Sequence, residues 1–419
     1  MKRGKTGSST VAAVGLLALT VHLCPCAYGL PSVIFPPAFF SFLDRPQEKA
    51  PESPESEGPA QKITFSGMFA GDLRWLKSGP APPPGAGIVS SDFYIRMVDL
   101  AFEASYSEWL AATAVLTSEF LGDYLNPGDE KVNLDEVHLD ILIPRTPLYI
   151  IMGKRTQPFG LFENYLLTDP LSQDAYETKK VGLTIGLKGL LDADLALTLY
   201  KGDEQMSHLF ESGLFDATVI QRNPVSAPRR VGSYILSASV SPLKDRLTLF
   251  GAYLSEPGGS ARNTTLNLGF SLAVPAFRNL IWEGEYMKAL SRELYDQASR
   301  AYRESAFSMT VAYRFVLKAR SHRGNANYRS RKSQIRSHPI EIAARYELFD
   351  DDSLSAEFRI WTARTRWSLG GRYTFYGKDN ISLYAMGEYR RSGFRVPAAS
   401  QEAGSKIQDE LYLRLGVDF

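Results

Sequence analysis

The feature that most constrains the fold is an alternation of apolar and polar residues that begins at Lys62 and recurs to the C-terminus. In the segment 264–274, for example, Leu266, Leu268 and Phe270 alternate with polar or small residues. Successive residues of a β-strand point to opposite faces, so each such segment has one apolar and one polar wall. A soluble antiparallel sandwich would show the same alternation in any one strand, so the pattern indicates an all-β chain without fixing its surroundings.

The length of the segments favours a barrel that spans a membrane. They run to about 10 residues, which is the length that a tilted strand needs to cross the hydrocarbon of a bilayer. Their polar face carries charges and glycine, as in a wet lumen, and aromatic residues such as Trp75, Trp109 and Trp282 lie near segment ends, where interfacial girdles form. Because only a closed barrel leaves no unpaired strand edge in lipid, we predict a transmembrane antiparallel β-barrel over residues 62–419.

The spacing of the segments predicts sixteen strands, an even number as in bacterial barrels. Connections on one side of the predicted barrel are short, whereas four on the other side are long: 156–178, 203–230, 350–365 and 391–408. Residues 353–362 could form another strand, but parity places them in a loop. The basic connection 319–338 is unusually long for the short-turn side.

The C-terminal segment resembles the last strand that outer-membrane barrels present to the machinery that inserts them. Counting back from the final residue, every second position is apolar, which gives the set Leu411, Leu413, Leu415, Val417 and Phe419. We therefore expect this set to act as a membrane-insertion signal. The alternative is a soluble strand that happens to end there.

The N-terminal region differs in composition from the rest of the chain. Basic residues followed by the apolar run 11–23 and small residues near Ala27 are typical of a signal peptide, which we predict over 1–29. Both cysteines, Cys24 and Cys26, would leave with that peptide. Residues 30–61 are expected to form a leader, whose part from Asp44 is rich in Pro, Glu and Ser and cannot bury enough apolar area to order itself.

The overall charge and the scattered histidines indicate little chemistry. Lys plus Arg is 47 and Asp plus Glu is 46, a formal net charge of +1, which argues against a nucleic-acid partner. The five histidines show no metal-ligand spacing, and a chain without mature cysteines has no thiol catalysis. We expect no enzyme activity, no catalytic residues, no metal and no cofactor.

The connection 156–178 is the candidate functional segment because it mixes aromatic residues with acidic ones directly after the strand that ends at Lys154 and Arg155. Opposed charges at a constriction create a transverse field that orders solutes and sets ion preference. The expected constriction residues are Lys154, Arg155, Glu163, Asp169, Asp174 and Glu177. The expected lumen-facing residues on neighbouring strands are Glu136, His138, Asp140, Glu283 and Glu285. The other interpretation is an exposed loop whose charges are merely solvated.

Three short stretches around this connection carry a family resemblance. Gly153-Lys154, the run Pro158–Phe162 and the run Leu167–Leu171 resemble a stretch typical of the legiobactin-uptake porin family. That family is similar in outline to 16-stranded porins and is associated with siderophore import across the outer membrane. The resemblance implies a porin-like channel that favours a small polyanionic or iron-chelating ligand.

These features together predict an outer-membrane channel, in a double-membrane bacterial envelope, for passive uptake of small hydrophilic solutes. Expected partners are outer-membrane lipid, the barrel-insertion machinery and the solutes, with a homotrimer by analogy with porins. The main alternative is a surface adhesin or antigen whose barrel only displays the long loops.

Overall fold

A computed structural model describes most of the chain after residue 61. The described residues are 62–78, 89–123, 131–162, 164–190, 192–202, 221–222, 231–243, 246–258, 262–274, 277, 279–292, 294–295, 303–319, 336–350, 363–378, 380–396 and 404–419. The predicted signal peptide and leader lie outside these residues.

The described residues form eighteen strands and one short helix. The strands are β1 (Lys62–Ser78), β2 (Val89–Ser107), β3 (Leu110–Leu121), β4 (Val132–Leu142), β5 (Leu148–Thr156), β6 (Lys179–Leu190), β7 (Ala193–Lys201), β8 (Gln221–Arg222), β9 (Val231–Val240), β10 (Leu247–Pro257), β11 (Arg262–Ala273), β12 (Leu280–Ser291), β13 (Leu294–Tyr295), β14 (Ser305–Ala319), β15 (Arg336–Asp350), β16 (Ala363–Lys378), β17 (Ile381–Val396) and β18 (Gly404–Asp418). The helix is α1 (Leu171–Tyr176).

Sixteen of the strands close into one antiparallel barrel, in which each strand pairs with its neighbours along the chain. The ring closes between β18 and β1, where Val417 lies opposite Phe69. The two remaining strands, β8 and β13, pair with each other outside the barrel sheet. The predicted fold class and the predicted count of sixteen barrel strands are confirmed.

Several strands are longer than the sequence indicated. The pair β17 and β18 continues to Val396 and Gly404, so most of the predicted loop 391–408 is hairpin. The pair β14 and β15 likewise extends to Ala319 and Arg336. Backbone pairing does not need an apolar face, so the strands run on past the point where the alternation stops. Residues 351–362 lie outside the described part, and the loop prediction for them is untested.

The outer face of the barrel is apolar and the inner face is largely polar. Large side chains exposed on the outside include Phe65, Phe69, Phe93, Trp109, Trp282 and Trp367. Charged side chains buried on the inside include Asp72, Arg74, Asp140, Arg345, Arg366 and Glu410. Among the described residues, no helix is long and apolar enough to cross a membrane.

The two ends of the barrel differ in the length of their connections. One end, here the short-turn rim, carries the start of β1 and connections as short as 108–109 and 143–147. Two of its tight turns place Asp192 and Asn380 at positive φ, 61° and 70°, which these side chains tolerate. The other end, here the loop rim, carries long connections, among them 157–178 and 202–230.

The C-terminal residue completes the closure of the barrel. The Phe419 amide donates to the Gly67 carbonyl at 3.0 Å, and the Gly67 amide donates back to the Phe419 carbonyl at 2.8 Å. Leu411, Leu413 and Leu415 are exposed on the outer face. Their role as an insertion signal stays a prediction.

Candidate functional site: a loop inside the barrel

The connection between β5 and β6, residues 157–178, lies inside the barrel and is called the lumen loop below. It leaves the wall at Thr156, contains α1, and returns at Lys179. Its contacts are made with inward-facing side chains of β11 to β17 as well as with the strands that flank it. These contacts place the segment in the lumen. An exposed, solvated loop, which is the alternative interpretation, would make no contact with these inward-facing side chains.

Carboxylates on the far wall accept hydrogen bonds from the loop backbone. The Leu161 amide donates to Glu285 at 2.6 Å, and the Leu171 amide donates to Glu347 at 2.5 Å. Glu388 takes three bonds, from the amides of residues 167 and 168 at 2.7 and 2.8 Å and from the Thr168 hydroxyl at 2.6 Å. Hydrogen bonds to an ionised acceptor are stronger than neutral ones, so these carboxylates fix the path of the loop.

Two arginines of the same wall bind the middle of the loop. Arg345, which is 1% exposed, donates to the Thr168 carbonyl at 2.5 Å and to the Asp169 carbonyl at 3.2 Å. Arg366 donates to the Asp169 carbonyl at 3.1 Å and to the Asp174 carboxylate at 3.2 Å. In this short segment, carboxylates of the wall therefore bind the backbone amides, and arginines of the wall bind the backbone carbonyls.

An apolar core inside the lumen packs the loop against half of the wall. On the loop side it contains Phe159, Leu171, Ala175 and Tyr176. On the barrel side it contains Tyr200, Ile235, Phe250, Ala252, Leu254, Met287, Ala306 and Phe349, from β7, β9, β10, β12, β14 and β15. Inward apolar side chains would face water if the loop were absent, so their burial favours a loop that stays docked.

A buried ion pair lies next to this core. The Arg292 guanidinium donates to Glu304 at 2.5 Å, and both side chains have no exposed area. Arg292 also donates to the Thr265 hydroxyl, and the Tyr176 hydroxyl donates to Glu304 at 3.2 Å. Desolvation raises the pKa of the Tyr176 hydroxyl, and the adjacent Glu304 carboxylate raises it further, so Tyr176 stays protonated as a donor.

The wall formed by β18, β1 and β2 carries paired charges. Arg414 forms two bonds to Asp72, at 2.6 and 2.8 Å. Arg74 donates to Asp123 at 2.7 Å. Arg96 comes within 3.9 Å of Asp169, so at this point the lumen loop approaches the opposite wall.

The acidic residues predicted for the constriction differ in their surroundings. Asp169 accepts a bond from Asn164 at 3.0 Å and lies near Arg96. Desolvation in the lumen raises the pKa of the Asp174 carboxyl, and the Arg366 guanidinium opposes this shift. Glu177 lies at the end of the loop, 3.6 Å from Lys179. Glu163 lies outside the described residues.

The residues predicted to face the lumen from the strands lie on the inner face. Glu136, His138 and Asp140 alternate along β4 with outward neighbours such as Val137. Glu283 accepts a bond from the Tyr165 hydroxyl at 3.1 Å, and Glu285 holds the loop as described above. Their effect on selectivity stays a prediction.

The two basic residues at the end of β5 point to opposite faces. Arg155 lies on the inner face, in line with the buried residues Tyr149 and Ile151. Lys154 pairs in register with Val137 and Val181, both exposed on the outside. The register therefore corrects the expectation that Lys154 faces the lumen, because consecutive residues of a strand cannot share a face.

Gly153, which directly precedes this pair on β5, occupies a backbone position that requires glycine. Its φ is 137°, a value that side chains rarely adopt. A Cβ at this position would lie 2.1 Å from the Val137 carbonyl oxygen and 2.6 Å from the Cα of His138. The close approach of β4 and β5 therefore requires glycine here.

Sequence reasoning missed the residues that hold the loop from across the barrel. Arg345, Glu347, Arg366 and Glu388 are each more than 170 positions away from the loop residues that they bind. Nothing in the local alternation distinguishes them from other inward charges. Among the described residues, no cluster of three or more His, Cys, Asp or Glu side chains could hold a metal ion.

Comparison with known proteins yields structural likeness only. No family model matches the chain, and no curated protein matches it. The outer-membrane channel DcaP of Acinetobacter baumannii superposes with a TM-score of 0.54 at 10% identity, covering 86% of this chain and 97% of that protein. OmpF of Salmonella typhi, in complex with daunomycin, gives 0.51 at 11% identity, covering 85% and 98%. An anion-selective porin from Comamonas acidovorans gives 0.50 at 9% identity, covering 85% and 100%.

Identities this low bear on the fold alone. The resemblance to the legiobactin-uptake porins, which rests on a few short stretches, therefore stays a prediction. The chain shares with these outer-membrane porins and channels the fold of a closed antiparallel β-barrel of sixteen strands.

Proposed function

We propose that the protein is an outer-membrane channel through which small hydrophilic solutes diffuse passively. The observation that carries this proposal is the lumen loop, which is docked against the strands β7 to β17 by an apolar core and by charged hydrogen bonds. In this proposal the loop narrows the lumen and leaves a path along the rest of the wall. The solute path would run between the loop and the charged wall of β18, β1 and β2.

Selectivity in this proposal comes from charges along that path. Asp169, Asp174, Glu177 and Arg155 would act at the constriction together with Glu163, while Glu136, His138 and Asp140 would line the approach. Opposed rows of fixed charge orient polar solutes and water, and a surplus of one sign sets ion preference. No chemical step is required. A homotrimer is part of the proposal by analogy alone.

Single-channel recording of the refolded mature chain in a planar bilayer tests the proposal. We expect stable conductance steps with defined ion selectivity, because a docked loop gives a lumen of fixed size. Asp169→Asn should shift the selectivity away from cations, since it removes a carboxylate where the loop approaches Arg96.

Silence from a barrel that is demonstrably folded and heat-modifiable would contradict the channel. The surface adhesin would then become the better hypothesis. An adhesin should bind its target through isolated loops, whereas a channel should not.

A narrower proposal concerns the ligand. We propose that the channel favours a small polyanionic or iron-chelating solute; the support is the resemblance at Pro158–Phe162 and Leu167–Leu171, with Arg96 as a guanidinium beside the path. Ferric citrate added on one side should interrupt the ionic current reversibly, and citrate alone should do so more weakly. Equal current with and without both compounds would count against the ligand while leaving the channel intact.

A further inference from the structure

Basic side chains on the outer face mark a boundary at the loop rim. Lys154 at the end of β5, Lys201 at the end of β7 and Arg262 at the start of β11 all lie at this rim. Lys154 pairs in register with Val181 on β6. On the next strand, Tyr200 pairs with Gly182, which places Lys201 beside Val181. Two cations therefore flank one exposed apolar residue.

The outward positions below Lys154 and Lys201 are apolar on their own strands. On β7, Leu195, Leu197 and Leu199 face outward beneath Lys201, and on β5 Met152 faces outward beneath Lys154. A charge on the lipid-facing side of a barrel is costly near the bilayer midplane and tolerated near the interface. The cations thus lie where the hydrocarbon would end and the headgroups begin.

In the part of the chain that the structure describes, carboxylates do not neutralise these cations. Within the described part of the chain, Lys154, Lys201 and Arg262 form no ion pair. The Lys154 ammonium donates to the Leu134 carbonyl at 2.6 Å, which uses one of its three N–H groups. By contrast, Lys179 at the same rim is paired with Asp135 at 2.9 Å.

The Arg262 guanidinium is held in a fixed position. It lies 5.2 Å from the ring centroid of Tyr234, and its Nε donates to the Ser255 hydroxyl at 2.6 Å. Its Nη2 donates to the Gly232 and Ser255 carbonyls. Among the described residues Nη1 has no acceptor, so one edge of a preorganised fork remains for an anion.

We propose that Lys154, Lys201 and Arg262 form a row of cations at the loop rim that binds the phosphate groups of outer-leaflet lipids, phosphorylated glycolipids of the lipopolysaccharide type. The proposal rests on the proposed outer-membrane location. Neighbouring strands lie about 4.8 Å apart, so Lys154 and Lys201, two strands apart, are separated by about 10 Å. A headgroup that carries two phosphates can contact both, while its acyl chains lie on the apolar columns beneath them. Arg262 on β11 lies three strands beyond β7 in the barrel, about 14 Å from Lys201, and binds a phosphate of the adjacent lipid.

The test compares binding of diphosphorylated lipid A, and of the same lipid after phosphatase treatment, to the folded full-length mature chain in detergent micelles. We expect the phosphorylated lipid to bind more tightly. The triple variant Lys154→Gln, Lys201→Gln, Arg262→Gln should lose about ten-fold or more of that affinity in low salt, because each cation near a membrane surface adds attraction for anionic lipid. Added salt should shrink the difference, as it screens exposed charges.

Lys77→Gln is the matched control, because Lys77 is also exposed on the outer face at the loop rim but lies opposite Asp409 in register. It should keep the wild-type affinity. Equal binding of the two lipids, unchanged binding by the triple variant, or an equal loss in the control would each overturn the site. Heat modifiability shows that the variants fold.

Conductance distinguishes this site from the proposed channel. A triple variant that binds lipid weakly but keeps the wild-type conductance supports both proposals. Phosphate-dependent lipid binding by a chain that shows no conductance would leave the lipid site standing while the channel fails.

Discussion

Replacing Glu388 by alanine is expected to enlarge the single-channel conductance and to make the open current noisy. The carboxylate accepts three hydrogen bonds from Leu167 and Thr168, and each bond to a charged acceptor contributes about 1.5–3 kcal/mol. Without it the Leu167 and Thr168 amides lose their carboxylate acceptor, and this part of the loop is held from the wall chiefly by Arg345 and Arg366. Because the loop would then sample positions away from the wall, we expect step size to change by about 1.5-fold, with fluctuations between levels.

The matched control is Glu341→Ala, which also removes an inward carboxylate. Glu341 pairs with Arg314 at 2.8 Å and makes no contact with the loop among the described residues. Glu341→Ala should alter the ion preference of the channel slightly and leave the conductance steps regular. Indistinguishable noise in the two variants would show that lost charge, and not lost anchoring, explains the effect. Glu388→Gln should behave more like wild type, since its amide oxygen still accepts from the backbone.

The barrel could be predicted from sequence because its signal is local. A period of two is visible within ten residues, and the sixteen predicted segments all became barrel strands. Strand ends were less accurate. At β17 and β18 the pairing of Val396 with Gly404 continues where side chains no longer alternate, since backbone hydrogen bonds are indifferent to side-chain polarity.

The apolar core inside the lumen corresponds to a sequence feature that departs from the alternation of apolar and polar residues. In β10 the run Leu249–Leu254 is apolar at inward and outward positions alike. Phe250, Ala252 and Leu254 point inward and meet the loop. A strand buried on both faces shows a continuous apolar run, so this segment was the available indication that the lumen is filled on that side.

Other parts of the site could not be predicted from short stretches of sequence. Lys154 and Arg155 differ by one position, and a shift of one residue in a strand reverses the face of every side chain. The choice of Glu388 and Arg345 as partners of Thr168 depends on how the closed ring brings β15 and β17 to face the loop. Such pairings connect residues far apart in the chain and have no sequence period.

Replacing Arg292 by alanine is expected to lower the free energy of unfolding by about 3–5 kcal/mol, because it leaves the fully buried Glu304 carboxylate without its cation. The same change removes the bond to Thr265. Equilibrium unfolding of the refolded barrel in urea measures the loss. Protease cleavage within residues 157–178 should also increase, since Tyr176 of the loop core bonds to Glu304.

Two further variants test whether the burial of the Arg292–Glu304 pair causes the expected loss of stability. Arg314→Ala breaks the Arg314–Glu341 pair, in which the arginine is 55% exposed, and should cost only about 0–1 kcal/mol. The double variant Arg292→Leu, Glu304→Leu removes both buried charges and should recover much of the stability lost by Arg292→Ala, because an apolar pair leaves no unpaired ion. If the double variant were as unstable as the single one, the hydrogen bonds that Arg292 donates to Thr265 and to the Thr264 carbonyl, and not the orphaned carboxylate, would carry the energy. The stability of the docked lumen loop would then depend more on hydrogen bonds between polar groups than on neutralising the buried Glu304 charge.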